Sequence, residues 1–258
     1  MFWLIAHTEI FFPFLLLGLA LLVELGLRTR RASGDLDAVQ PFIESARDRL
    51  GVLLSLLLGF CLPMSLPHYE QRTQLVTDEA NAIATVAQRA QMIPQPFQGR
   101  ILQTLPAYVD ARLEFAQVSL DGPAMTASVY RAEQLQQEMW HQAMMLIPQN
   151  VTPLTVPLVQ AIGDLSNSIE QRQAAAEKHI PTVLWWVLIL ISALTCFVVG
   201  YSMRGRVLLG ILVLPLTVAI VLSLVSELDN PRTGLVRVSQ QSMLRLQQSL
   251  NAEPAPGR

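Results

Sequence analysis

The chain has 258 residues, of which 52% are hydrophobic and only 15% are charged, and its mean hydropathy is +0.39. Soluble domains carry roughly 25% charged residues, so this composition excludes an ordinary soluble protein and indicates an integral membrane protein. The formal net charge of -2 provides no excess of positive charge for a phosphate backbone, so we exclude nucleic acid as a partner.

Four apolar segments account for the excess of hydrophobic residues. Three of them contain no charged residue, namely Gly51 to Tyr69, His179 to Met203 and Val207 to Ser226. A helix of about 20 residues crosses a hydrocarbon core about 30 Å thick, so each segment is long enough to span a membrane. The first segment, residues 1–27, has no basic residues before its apolar core, and we therefore interpret it as a retained anchor rather than a signal peptide.

The polar region between the second and third spans is predicted to be entirely helical. Its apolar residues recur at spacings of three and four, which is typical of amphipathic helices, and charged residues such as Arg172 are assigned to their outer faces. Proline and glycine clusters divide the region, so that the first helix continues out of the second span to Met92. The later helices are predicted at 97–118, 125–146 and 153–178.

The predicted fold class is therefore all-α, a membrane protein with four transmembrane helices and a helical insert between helices 2 and 3. The tail is predicted to form a short amphipathic helix capped by Ser239. In chain order the predicted segments are transmembrane helix 1 (1–27), a short arginine-rich loop (28–49), transmembrane helix 2 (50–69), the helical extramembrane domain (70–179), transmembrane helix 3 (180–203), transmembrane helix 4 (207–227) and the tail (228–258).

The arginine distribution predicts the orientation of the chain. Five arginines lie in the loop 28–49, and Arg204 and Arg206 lie between the third and fourth spans. Because basic loops stay in the cytoplasm, this count predicts that the helical domain is periplasmic, in a protein of the bacterial inner membrane.

No arrangement of residues indicates catalysis or a cofactor. The sequence has no phosphate-binding glycine loop and no hydrolase or metalloprotease motif, so we predict that the protein is not an enzyme. Cys61 and Cys196 lie in predicted spans, where thiols behave as small buried hydrophobes. His68 and His179 lie at one membrane level, but no carboxylate or cysteine follows at ligand spacing, and we predict no metal site.

Two stripes on the second span and its extension fit an ion pathway. Polar side chains on one helix face can replace part of an ion's hydration shell, and an apolar stripe can close a pore by dewetting. The alternative is that both stripes serve helix packing or contact water and lipid. The polar stripe comprises Thr77, Asn81, Thr85 and Gln88, and the apolar stripe comprises Leu57, Phe60 and Met64.

Glu79 is the ionisable residue with the strongest functional interpretation. It would place a charge at the mouth of a pore, or pair with a buried arginine such as Arg72 or Arg237. The alternative is a surface carboxylate or an ordinary helical ion pair, which is worth about 0.5 kcal/mol or less.

Three segments carry a family resemblance, namely residues 68–72, 79–83 and 234–241. They read HYEQR, EANAI and GLVRVSQQ, the first just after the second span and the last in the tail. Together with the order of spans and insert, they resemble the bestrophin-like group of bacterial membrane proteins over nearly the whole chain.

This resemblance implies a homo-oligomeric anion channel for small inorganic ions such as chloride. True bestrophins are pentamers in the lipid bilayer, and their second span lines a central pore with a hydrophobic neck.

No run of acidic residues follows the fourth span here, where eukaryotic bestrophins have a calcium-binding clasp, so calcium gating is not predicted. The bestrophin insert is cytoplasmic, against the arginine count, so its sidedness stays open. A membrane sensor or an assembly scaffold, whose helical domain binds a ligand or partner, is the alternative function.

Overall fold

The computed structural model describes residues 8–32, 39–117, 123–149, 153, 155–203, 205, 208–230 and 236–252, and these residues contain helices and no strand. The all-α prediction is confirmed. The helices are α1 (Thr8–Ala32), α2 (Gln40–Ala90), α3 (Phe97–Gln117), α4 (Pro123–Gln149), α5 (Thr155–Glu177), α6 (Thr182–Ser202), α7 (Leu208–Asp229) and α8 (Gln241–Ala252).

Within the described residues, four stretches contain a helix that is long and apolar enough to cross a membrane. They are Ile10–Ala32, Gln40–Ala90, Thr155–Ser202 and Ile211–Asp229, judged by length and composition. Many large apolar side chains on them point outward, as is expected where lipid rather than water surrounds a helix. The protein is a multi-pass membrane protein with four candidate spans, as the sequence predicts.

The helices extend beyond several predicted boundaries. Helix α1 continues to Ala32 and α2 begins at Gln40, so helical structure enters both ends of the loop predicted at 28–49. Helix α2 passes through Pro63 and Pro67 as one element, which a membrane-buried helix tolerates because neighbouring groups can satisfy the backbone that proline frees. The predicted span residues 1–7 lie outside the described residues.

The chain divides into two compact units. The membrane unit comprises Met1–Tyr69 and His179–Arg237, and the insert unit comprises Glu70–Lys178 and Val238–Arg258. In the membrane unit, α1 packs against α6 and α7. Close approach between α1 and α6 occurs where both helices carry glycine. A Cβ atom on Gly200 would overlap the carbonyl group of Val23, and one on Gly26 would overlap the carbonyl group of Phe197.

The insert unit has its own apolar core. Helix α3 packs against α4 and α8, and α4 packs against α5. Helix α8 belongs to this core through Met243 and Leu246, which are buried. The hydroxyl oxygen of Ser239 accepts a hydrogen bond from the backbone N–H of Gln241 at 3.4 Å. This contact lies at the N-terminus of α8, where the sequence predicts a cap. The fully buried side chains of the core include Ile83, Ile101, Leu105, Tyr108, Met139, Leu146, Leu158, Ile162 and Leu165.

Candidate functional site on the second helix

Glu79 lies in the middle of the buried face of α2. Its neighbours at helical spacing, Val76 and Ile83, belong to the apolar core of the insert unit, and Glu79 itself is 0% exposed. A carboxylate in such a place is unstable unless charged and hydrogen-bonding groups surround it. The sequence therefore places an acid where the fold must supply partners.

Helices α3 and α5 supply those partners. Arg112 binds the carboxylate of Glu79 with two bonds, from Nε to Oε1 at 2.7 Å and from Nη2 to Oε2 at 3.0 Å. The hydroxyl of Tyr108 donates to Oε1 at 2.9 Å, and Nη1 of Arg172 donates to Oε2. Tyr108 and Arg112 are four residues apart on α3, which puts them on one helix face. We call Glu79, Tyr108, Arg112 and Arg172 the buried charge cluster.

Charges within the cluster keep Glu79 ionised. Burial alone raises the pKa of Glu79, but the guanidinium groups of Arg112 and Arg172 outweigh it and lower the pKa below its ordinary value. The pKa of Tyr108 is raised well above its ordinary value, first by burial and then by the Glu79 carboxylate. The tyrosine therefore remains a protonated donor. The cluster therefore links α2 to α3 and α5 through ion pairs and hydrogen bonds.

The partners of Glu79 differ from those that the sequence suggested. Arg72 donates instead to two backbone carbonyls at the end of α5, those of Ala175 at 3.0 Å and Lys178 at 2.6 Å. Arg237 lies in the membrane unit, where its carbonyl oxygen accepts the hydroxyl of Tyr69 at 3.3 Å. The interpretation of Glu79 as a surface carboxylate is wrong, because its side chain is fully buried.

Arg112 and Arg172 were missed by sequence reasoning. The sequence analysis assigns Arg172 to the outer face of α5, but Arg172 follows the buried residues Leu165 and Ile169 by seven and three positions, and its side chain is only 14% exposed. That spacing was the available signal, because it places Arg172 on the core-facing stripe. An arginine on such a stripe requires an acidic partner elsewhere in the core.

The candidate pore residues lie on two separately exposed stretches of α2. In the membrane unit, Phe60 and Met64 are 59% and 48% exposed, and Leu57 is partly buried. The spacing of Phe60 and Met64 gives them a common outward face.

The polar candidates differ from one another in their availability. Asn81 and Gln88 are exposed on the insert unit. The hydroxyl of Thr85 donates to the carbonyl of Asn81 at 2.8 Å, and the hydroxyl of Thr77 lies 3.0 Å from that of Ser242 on α8. Among the described residues no hydrogen bond engages the side chains of Asn81 and Gln88, so these two amides are the polar groups of the stripe that remain available.

His179, one of the two histidines that the sequence places at one membrane level, lies beside an acidic residue. Nδ1 of His179 is 3.7 Å from a carboxylate oxygen of Asp229, whose other oxygen accepts the amide hydrogen of Ile180 at 2.9 Å. Within the described part of the chain, no group of three histidine, cysteine or acidic residues is arranged to hold a metal ion.

Comparison with known proteins places the chain in a family. The bestrophin-like domain matches residues 10–243, whereas no curated protein sequence matches significantly. The crystal structure of a bacterial bestrophin homolog from Klebsiella pneumoniae, phased by Zn-SAD, has 15% sequence identity and a TM-score of 0.69 and covers 92% of this chain and 96% of its own. A mutant of that homolog has 14% identity and a TM-score of 0.68, with coverages of 94% and 99%. At these identities the similarity shows a common fold, and with the family match over most of its length the chain belongs to the bestrophin-like family.

Proposed function

We propose that the protein is a homo-oligomeric ion channel whose pore is lined by α2. Family membership and the fold of a bacterial bestrophin homolog support this proposal. The observation that carries it is a pair of exposed stretches of α2, one apolar at Phe60 and Met64 in the membrane unit and one with amide side chains at Asn81 and Gln88 in the insert unit. Several copies of the chain around one axis would turn these residues into rings.

The apolar residues provide the gate of this pore. A ring of phenylalanine and methionine side chains, from Phe60 and Met64, forms a constriction that excludes water until it widens. Leu57 lies at the edge of the same face and narrows the constriction further. No permanent charge lies among these residues, so an ion that enters is not trapped.

The amide residues provide the polar path. Asn81 and Gln88 can replace part of the hydration shell of an ion of either sign, because an amide has both donor and acceptor groups. The carboxylate of Glu79 does not face this path, since it lies in the core with Arg112 and Arg172. The preference for anions such as chloride rests on the family resemblance.

Ion flux from liposomes tests the proposal. The purified oligomer should release chloride, and Phe60→Ala should raise the rate because a smaller side chain widens the constriction. Phe14→Ala is the matched control. It removes the same side chain from a position on α1, away from α2, where Phe14 is 63% exposed.

The result against the proposal is equally specific. An intact oligomer that passes neither chloride nor potassium, with or without Phe60→Ala, would contradict a channel. That outcome would favour a sensor or scaffold whose insert unit binds a partner.

A further inference from the structure

A groove opens on the surface of the membrane unit between α2, α6 and α7. Its volume is about 760 Å³, and its walls include Val52 and Leu56 of α2, Val199 of α6 and Leu214 of α7. Ligand sites in proteins usually measure about 300 to 1,000 Å³. The groove is therefore large enough for part of a lipid molecule.

The polar side chains along the groove are already bonded within their own helices. The hydroxyl of Ser55 donates to the carbonyl of Gly51 at 2.8 Å, and the hydroxyl of Thr195 donates to that of Ile191 at 2.7 Å. These groups need no hydrogen bond from an occupant. The walls consequently favour an apolar chain.

The length of the groove matches one leaflet of a bilayer. Leu56 and Arg47 both line it and are nine residues apart on α2, which corresponds to about 13.5 Å of helix at about 1.5 Å per residue. Half of the hydrocarbon core is about 15 Å thick. Arg47 precedes the uncharged span that begins at Gly51, so it marks the headgroup end.

Two opposite charges stand side by side at that end. Nη2 of Arg47 is 2.9 Å from a carboxylate oxygen of Asp48, and the two side chains are 41% and 68% exposed. A guanidinium group binds phosphate, and a carboxylate accepts hydrogen bonds from an ammonium group. A negatively charged headgroup without an amine would be repelled by the carboxylate of Asp48. A choline headgroup has no N–H group that could donate a hydrogen bond to this carboxylate.

We propose that this groove binds phosphatidylethanolamine from the adjacent leaflet. One acyl chain lies along Val52, Leu56, Val199 and Leu214. The phosphate contacts the guanidinium group of Arg47, and the ammonium group contacts the carboxylate of Asp48. The lipid is recognised by the pair of charges rather than by net charge.

Native mass spectrometry of the purified oligomer, exchanged into detergent with equal amounts of phosphatidylethanolamine, phosphatidylglycerol and phosphatidylcholine, tests the assignment. We expect phosphatidylethanolamine to be retained preferentially. Asp48→Asn should abolish the preference over phosphatidylcholine, whereas Arg47→Ala should lower the retention of all three lipids.

A second pair of variants tests the apolar part of the groove. Leu56→Trp should displace at least two buried methylene groups of the acyl chain and lower lipid retention about tenfold. Leu66→Trp is the matched control, because Leu66 is 46% exposed on the same helix, is not among the residues that line the groove and lies on a different face from Phe60 and Met64.

Three results would overturn the proposal. The first is equal retention of the three lipids by the unaltered protein, and the second is unchanged retention in Leu56→Trp. The third is a Leu56→Trp protein that dissociates into monomers while each monomer keeps its lipid, which would assign the groove to a second copy of the chain.

Discussion

Each of the two units is stabilised internally by a different kind of contact. In the membrane unit, α1 and α6 approach so closely that only glycine fits at Gly26 and Gly200. In the insert unit, the core contains a carboxylate that is bound by two arginines and a tyrosine. Lipid tails are as apolar as leucine, so helices in a membrane associate through close packing of small residues. Outside the membrane, burial of apolar side chains drives folding and can accommodate a paired charge.

This difference bears on α2, which runs from one unit into the other. In the insert unit the buried charge cluster fixes the rotation of α2, because Glu79 must face Arg112 and Arg172. That rotation turns Asn81 and Gln88 outward. The cluster is therefore a positioning device for the polar path proposed above.

The largest expected effect is the loss of Glu79. Glu79→Ala leaves two arginines without their buried partner, and removal of one partner of a buried pair costs about 3 to 5 kcal/mol. Thermal unfolding followed by circular dichroism in detergent should show a strongly destabilised insert unit. Glu70→Ala, on an exposed position of the same helix, is the control and should have little effect. Equal unfolding temperatures for the two variants would show that the cluster contributes nothing to stability.

A smaller effect is expected at the glycine contact of the membrane unit. Gly200→Ala places a methyl group against the backbone of Val23, and overpacking of this kind costs about 1 to 3 kcal/mol. Gly18→Ala is the control, because nothing lies near the position of its Cβ atom. The melting temperature measured by size-exclusion chromatography after heating should fall only for Gly200→Ala. A matching fall in both variants would contradict the close-contact interpretation.

The buried charge cluster makes the stability of the insert unit depend on pH. The pKa of Glu79 is lowered from its ordinary value of 4.5, so its contribution is present above that value and is lost as the pH falls through the lower pKa of the folded state. One such group changes stability by up to about 1.4 kcal/mol per pH unit. The stability difference between the unaltered protein and Glu79→Gln should therefore shrink below pH 4.5. A difference that stays constant down to pH 3 would rule out this role for the carboxylate.

The smallest expected effect is at the start of α8. Ser239→Ala removes the cap from the amide of Gln241, and because this bond is long and exposed we expect a loss of about 0.5 kcal/mol. Ser249→Ala is a suitable control, since the hydroxyl of Ser249 only returns to the carbonyl of Leu246 in the same helix. Chemical denaturation of both variants gives the comparison. A larger loss for Ser249→Ala would contradict the assignment of the cap.

The sequence predicts the spans well because each depends on a local property. Segments such as Gly51 to Tyr69 lack charge, and that alone requires burial in apolar surroundings. The insert helices also follow from local spacing, and their predicted ends lie within a few residues of the observed ones.

The buried charge cluster was harder to predict, because it joins residues that are 33 and 93 positions apart. A single sequence shows that Glu79 interrupts an apolar face, but it does not show which of the arginines reaches it. The extent of α1 and α2 into the arginine-rich loop was also missed, since arginine is a good helix former and marks no helix end by itself.

The central claim, that the exposed stretches of α2 line an ion path, is tested most directly by thiol modification during chloride flux. Asn81→Cys places a reactive group on the polar stretch, while the native Cys61 and Cys196 are buried. A charged, membrane-impermeant methanethiosulfonate reagent should change the chloride flux of liposomes that contain Asn81→Cys. The flux of liposomes that contain the control Glu170→Cys, on the exposed side of α5, should stay unchanged. Complete modification at Asn81→Cys with no change in flux would contradict the account.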